Sequence, residues 1–293
     1  VISLRLGLLA WPVTRTHDVA GFGAKLDHWL DQARGQADLG VLPEYACVEL
    51  GAALRGTTAP DEAAELAGMV AHAEAILATM RLAAMRAGLW LLPGTLPMRR
   101  GADVVNVAPL IAPDGRMAFQ HKRIMTRFEA ECWGISAGEP PAVFDTPWGR
   151  IGISICYDVE FPKYVRAQAE AGAWLILAPS CTDTPQGFSR VRIGAQARAL
   201  ENQCYVAVAP TVGEAPWSAA LDDNHGQAAV YGPPDIGFPA DGVVAAGTMN
   251  APGWVFATLD PALVAAVREH GAMRNHRDFP RGPVARPVPA VFA

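Results

Sequence analysis

Apolar residues recur along this chain in two alternating rhythms, one of about two residues and one of about three and a half. Short runs with strand-like spacing fall near 3–10, 39–44, 88–95, 104–112, 116–121, 143–146, 150–156, 173–178, 204–210, 228–231, 242–247 and 254–259. Between them lie Ala-rich stretches with helical spacing near 18–35, 61–87, 161–171, 187–202 and 260–270, each with one apolar face. The second opens after Thr58-Ala59-Pro60-Asp61 with acids in its first turn, as a capped helix does. Strands alternating with helices that can cover both outer faces predict a layered α/β architecture. No repeat or internal linker interrupts the pattern, so we expect one domain over 1–275. After it comes a tail, 276–293, whose Pro280, Pro283, Pro287 and Pro289 disfavour helix and leave it to wrap a neighbour or fray.

Composition narrows the function classes. With 293 residues and 51% hydrophobic content the chain can bury a large core. A net charge of −5, with no basic cluster interleaved with aromatics, leaves no source for the phosphate-neutralising term on which nucleic-acid binding depends. The longest apolar runs, such as 173–178, fall well short of the roughly 20 residues that cross a bilayer, so no membrane partner is expected. Residues 3–10 lack a basic lead-in and a cleavage site and read as a first strand. Five cysteines, an odd number without close pairs, fit a reducing, cytoplasmic compartment. No Cys-x-x-Cys occurs and the seven histidines are scattered, so neither a metal nor another cofactor is expected.

Three polar islands in apolar surroundings carry the chemistry. Cys156 stands where the run Ile151-Gly152-Ile153-Ser154-Ile155 ends and the turn-forming Tyr157-Asp158-Val159-Glu160-Phe161-Pro162 begins. Such a corner exposes a nucleophile and frees the next backbone N–H, that of Tyr157, for an oxyanion. Taken singly, a thiol beside a strand is most often inert packing. Glu44 follows the apolar run 39–42 in Val41-Leu42-Pro43-Glu44-Tyr45-Ala46, where a carboxylate is costly without a partner and is otherwise a cap or loop residue. Lys122 follows a strand-like stretch in Gln120-His121-Lys122-Arg123, where alone it would be a surface charge.

Their order and context resemble the carbon–nitrogen hydrolase (nitrilase) superfamily. In that resemblance Glu44, Lys122 and Cys156 match the Glu-Lys-Cys triad, and Glu129, seven residues after Lys122 and followed by Trp133-Gly134, matches a second acid that orients the lysine and the substrate. Leu177-Ala178-Pro179-Ser180, Arg198-Ala199-Leu200-Glu201-Asn202 and the segment 234–242 resemble further family motifs, with Asp235 standing where a Ser is usual. The resemblance implies a four-layer α-β-β-α sandwich and a homodimer, or larger homo-oligomer, joined through the helices at 161–171 and 187–202. It also implies a cysteine-dependent hydrolase that cleaves a non-peptide C–N bond of a small amide or N-carbamoyl (ureido) compound through a thioester. Cys156-Tyr157-Asp158 is similar to the amidase and carbamoylase branches. Glu129 with Trp133-Gly134 is similar to true nitrilases, although Ala130 replaces the usual Arg. The alternatives are a nitrilase releasing acid and ammonia, or an inactive scaffold.

Candidate pocket residues are Tyr45, Trp133, Tyr157, Asp158, Cys181 and Thr182, with Asp183 and a 211–225 loop carrying Trp217. Cys47 and Cys132, each three residues beyond an acid, are candidates for the rim, and Arg123 and Arg127 for structural ion pairs. A Cys–His protease is disfavoured because His121, His225 and His276 have no motif around them.

Overall fold

The structure, a computed structural model, describes residues 2–281. In chain order, β1 (Leu4–Pro12), α1 (Val19–Ala33) and β2 (Leu39–Val41) lead into a 3-10 turn at Ala46–Leu50 and α2 (Gly51–Leu54). Then come α3 (Glu62–Ala71), α4 (Ala73–Ala87), β3 (Trp90–Leu92), β4 (Leu96–Arg100), β5 (Asp103–Ile111), β6 (Met117–His121) and α5 (Arg127–Glu131). The second half opens with β7 (Val143–Thr146), β8 (Gly149–Ile153), a 3-10 turn at Cys156–Glu160, α6 (Pro162–Glu170), β9 (Leu175–Ser180) and α7 (Pro185–Asn202). It closes with β10 (Tyr205–Glu214), β11 (Asp223–Asn224), β12 (Ala229–Tyr231), β13 (Val243–Ala246), β14 (Gly253–Leu259), α8 (Pro261–His270) and α9 (Asn275–Asp278).

The strands form two sheets that meet along one seam. The first runs β14-β1-β2-β3-β5-β6, with β4 pairing antiparallel to β5. The second runs β13-β12-β10-β9-β8-β7. They join where the end of β1 pairs parallel with β10, Trp11 opposite Thr211. Alternation along β1 shows why the layers stack: Leu4, Leu6 and Leu8 face the second sheet, whereas Leu9 and Trp11 face α1 and α4 through Phe22, Leu26, Ile76 and Met80. On the far side of the second sheet, Val165 of α6 and Val191, Ala195 and Ala199 of α7 pack onto it. The result is the expected α-β-β-α sandwich.

Several expected boundaries shift. The single helix expected over 61–87 is two, α3 and α4, bent by 63°. His72, between them, lies at φ −107°, and its imidazole Nδ1 sits 2.9 Å from the Gly68 carbonyl oxygen. Apolar spacing continues across this break, so periodicity alone cannot see it. β4 and α5 were not expected; Pro97 and the paired arginines masked the first. At the C-terminus, the segment expected to begin a tail at 276 instead starts within α9. There the His276 N–H donates to Gln203 Oε1 at 3.1 Å and Arg166 donates to the His276 carbonyl at 2.9 Å. A 3-10 turn at Phe279–Arg281 follows, and residues 282–293 of that tail lie outside the described residues. Asp235, standing for the expected Ser, accepts from the Ala272 N–H at 2.8 Å and ties the end of α8 to this loop. Among the described residues, no single helix is long and apolar enough to cross a membrane.

Candidate active site

Each of the three expected residues sits just past the end of a strand, where the backbone is free to turn. After β2, Pro43-Glu44-Tyr45 bends sharply, with Tyr45 in the left-handed region at φ 59°. This bend lies against Gly94 so tightly that a Cβ there would come within 2.1 Å of the Pro43 carbonyl oxygen. Tyr45 N–H is held by Thr95 Oγ1 at 3.2 Å. After β6, the Lys122 N–H donates to the Asn106 carbonyl (2.9 Å) while its own carbonyl accepts from Gly138 (2.9 Å), so the lysine is fixed on both sides. After β8, Ser154 N–H still bonds the Leu177 carbonyl at 2.9 Å, and two residues on Cys156 turns to φ 47°. A positive φ at a non-glycine residue stores strain, and it aims the thiol away from its own strand. Arg198 of α7 holds this elbow from behind by donating to the carbonyls of Val159 (3.4 Å) and Glu160 (3.1 Å).

The three side chains converge with Glu129 into one buried cluster. Lys122 Nζ donates to Glu44 Oε1 at 2.7 Å and to Glu129 Oε2 at 2.6 Å, with the lysine only 1% exposed. Asn106, which sequence reasoning missed, donates from Nδ2 to Glu44 Oε1 (2.9 Å) and Glu129 Oε1 (3.2 Å). Its signal was a lone amide inside the apolar run Val104-Val105-Asn106-Val107-Ala108. Glu129 is anchored further by the Tyr45 hydroxyl (2.8 Å) and by the Thr126 N–H (2.9 Å), a capping box that starts α5. The Cys156 thiol lies 3.5 Å from the Cys181 carbonyl oxygen and, with Glu44 and Lys122, faces one cavity.

Burial and neighbours drive these groups apart in acidity. Burial raises Glu44 above the ordinary carboxylate range, opposed by Lys122 and reinforced by Glu129. Burial acts the same way on Glu129, but the Lys122 ammonium and the hydrogen bonds from Lys122, Thr126 and Tyr45 outweigh it and leave Glu129 below its usual value. Lys122 loses hydration, yet its two carboxylates hold it well above the usual lysine value. Burial, then the Glu44 charge, keeps the Cys156 thiol well above a free thiol, despite Lys122.

A cavity of about 640 Å³ opens onto this cluster. Of the expected pocket residues, Tyr45, Trp133, Tyr157, Cys181 and Thr182 line it, as does Asp183. Tyr45, Trp133 and Phe128 form an aromatic wall, with ring centroids 5.3 and 5.1 Å from Trp133. Asp158 does not line it, and this corrects the expectation. It is fully buried and turned back beneath the lysine loop, accepting from the N–H groups of Arg123 (3.2 Å) and Ile124 (2.8 Å). Cys47 is also withdrawn, its thiol 3.4 Å from the Thr95 carbonyl oxygen, and Cys132 is exposed away from the cavity. Arg127 does pair with Glu131 (3.0 Å), whereas Arg123 donates to the Gly138 carbonyl instead. The expected 211–225 loop reaches the rim through Ala219, Ala220, Asp222 and Asp223, though Trp217 does not line it; Glu62, Glu160 and Arg190 at the rim were not anticipated. Most come from loop and helix ends whose direction only the fold sets. Among the described residues, no cluster of His, Cys, Asp or Glu could hold a metal ion.

Solved structures share the architecture. Nit3 of Saccharomyces cerevisiae, from the nitrilase superfamily, superposes with a TM-score of 0.71 at 21% identity, over 91% of this chain and 93% of its own. A mutant of the amidase from Nesterenkonia sp. AN1, in complex with acrylamide, superposes with a TM-score of 0.72 at 24% identity, over 91% of this chain and 94% of its own. A two-sheet sandwich covered by helices on both faces, of the kind seen in the nitrilase superfamily, is thus the fold class. The chain belongs to the carbon–nitrogen hydrolase family, whose sequence profile matches residues 11–269. Among curated relatives, the probable hydrolase YhcX of Bacillus subtilis is 30% identical over 94% of this chain, which spans about half (53%) of YhcX. The omega-amidase NIT2-A of Xenopus laevis is 30% identical over 66% of this chain and 70% of its own length.

Proposed function

We propose that this protein hydrolyses the C–N bond of a small amide or N-carbamoyl compound, with Cys156 as nucleophile, Glu44 as general base and acid, and Lys122 as electrostatic stabiliser. The observation that carries this reading is a buried thiol that shares one cavity with Lys122 and with Glu44, a carboxylate whose affinity for protons is raised. Neither group alone could begin the reaction, because the thiol is held protonated and an ordinary carboxylate is a weak acceptor for its proton. Together the thiol proton can pass to Glu44 as sulfur attacks the carbonyl carbon. The Lys122 ammonium and the Tyr157 N–H stabilise the tetrahedral oxyanion. Glu44 then protonates the departing nitrogen, the C–N bond breaks and a thioester remains. Water, deprotonated by Glu44, attacks the thioester and releases the acid and the thiol. Glu129 keeps Lys122 aimed while remaining ionised.

The names of relatives lean the same way. One curated relative is an omega-amidase. Another structure of the Nesterenkonia amidase shows the acetamide moiety of fluoroacetamide added covalently at its active-site cysteine. The dimer implied by the family resemblance has support in Ile193 (60% exposed) and Leu200 (43%), seven residues apart on the outer side of α7. Ammonia release from a panel of straight-chain amides, ureido acids and nitriles tests the reading. Turnover of amides or ureido acids supports it, and release from nitriles alone would replace it with a nitrilase.

A further inference from the structure

One wall of the cavity is supplied mainly by a loop beyond the two sheets. Ala219, Ala220 and Asp222, from the segment linking β10 to β11, line it together with Asp223 at the start of β11. Small and polar residues bring little apolar area, so this wall needs other means of attachment. Its internal bonds give it shape: Ser218 N–H to the Ala215 carbonyl at 2.9 Å, and Ala220 and Leu221 N–H to Ser218 Oγ, each at 3.2 Å. Trp217 and Leu221 dip into the core on either side of the small residues.

What ties the stretch between them to the body is a charge pair. Glu65 of α3 accepts from the Ser218 hydroxyl (2.8 Å) and from the Ala219 N–H (3.0 Å). Arg55 donates to Glu65 Oε1 (2.7 Å) and to the Trp217 carbonyl (2.8 Å), and its remaining groups reach the carbonyls of Thr57 and Thr58. The pair's side chains are 4% and 0% exposed. Tight backbone approaches hold α3 in place: a Cβ at Gly68 would meet the Leu54 carbonyl oxygen at 2.5 Å, and one at Gly51 would press on Glu65 itself. Three residues before Glu65, on the same face of α3, Glu62 reaches the pocket rim. A buried ion pair is seldom the most stable filling for a core, but it fixes the partners it bonds in one geometry.

We propose that Arg55 and Glu65 are positioning residues that set the outer wall of the substrate pocket, and so determine how long an acyl chain the site accepts. This rests on the amide-hydrolase reading above. Short amides end near Cys156 and do not need the wall; longer ones pack against Ala219 and Ala220. The test uses straight-chain amides from acetamide to octanamide, with kcat and KM measured for wild type, Glu65→Gln and Ser218→Ala. The second variant removes only the wall's hydroxyl and leaves the ion pair whole, in case loss of the buried charge prevents folding. The ratio of kcat/KM for the longest to the shortest amide turned over should fall about tenfold in both variants, through KM, the effect of losing one hydrogen bond to a charged group. Equal losses for both amides, or none, overturn the proposal. Hydrogen exchange reads the clamp independently of turnover: amides of 217–221 should exchange faster in Glu65→Gln, and unchanged exchange also overturns it. If wild-type protein turns over no amide, the amide reading fails, and exchange alone then decides whether the clamp exists.

Discussion

Two lysines in this protein pair with buried carboxylates, Lys25 half-buried and Lys122 fully so, and Lys122 faces the cavity. Lys25 Nζ lies 2.6 Å from Glu49 Oε2, over the Trp11 ring at 4.0 Å, while Trp11 Nε1 and the Thr14 N–H also donate to that carboxylate. One cation meets one anion, so the pair is neutral. Burial lowers the lysine and raises the glutamate, and their attraction only partly resists this. Lys122 instead meets two carboxylates, and its proton is held more tightly than in water. The surplus negative charge falls on Glu44, the one whose affinity for protons rises, and Glu44 is the one beside the thiol. Burying charge does not make a site. A carboxylate in excess of its cations, placed beside a thiol and a cavity, is what distinguishes the proposed site.

The comparison breaks most sharply at Cys156. Cys156→Ala should lose turnover by on the order of 10⁴-fold or more while the melting temperature moves little, since the elbow thiol supplies reactivity more than core volume. Next is Glu44→Gln, with an expected loss on the order of 10³-fold in both acylation and deacylation, read by single-turnover kinetics. A normal acylation burst in that variant would remove Glu44 from the base role. Glu49→Gln is its counterpart. It should lower the melting temperature by several degrees, because the half-buried Lys25 is left without its counter-charge, yet alter turnover by less than about threefold. Lys122→Arg should cost on the order of 10²-fold in kcat, since a planar fork cannot replace a compact ammonium between two carboxylates. Near wild-type turnover in that variant would show that Lys122 supplies only general positive potential.

The smallest expected effect is on pH dependence of stability. Burial pushes the Asp158 carboxyl up to about 7, against the pull of Lys122 and its backbone hydrogen bonds. A native state that binds this proton more tightly than the unfolded chain is favoured while the group stays protonated. That contribution is complete below the unfolded value near 4 and is lost as pH rises through about 7. Asp158→Asn should therefore flatten the fall in melting temperature between about pH 4 and 7. An unchanged slope would assign the fall to Glu44, whose raised affinity has the same sign.

Strand ends were the most legible part of the site, because Glu44, Lys122 and Cys156 each interrupt an apolar run that periodicity marks as buried. The φ of 47° that aims the thiol could not be read from a side chain of that type. Asp158 was misplaced because proximity in sequence to the nucleophile suggested proximity to substrate, whereas the 3-10 turn carries it back under the lysine loop. Asn106 was overlooked because its strand neighbours made the stretch look wholly apolar. The outer wall of the pocket depends on tertiary bonds from α3, which no local pattern in 215–223 encodes.

In the proposed reaction an acyl group passes through the Cys156 sulfur. Acid-quenched wild-type protein turning over an amide, analysed by intact and peptide mass spectrometry, should carry the acyl mass on the peptide containing Cys156, with no adduct in Cys156→Ala. An adduct on Cys181 instead, or turnover persisting in Cys156→Ala, would contradict it.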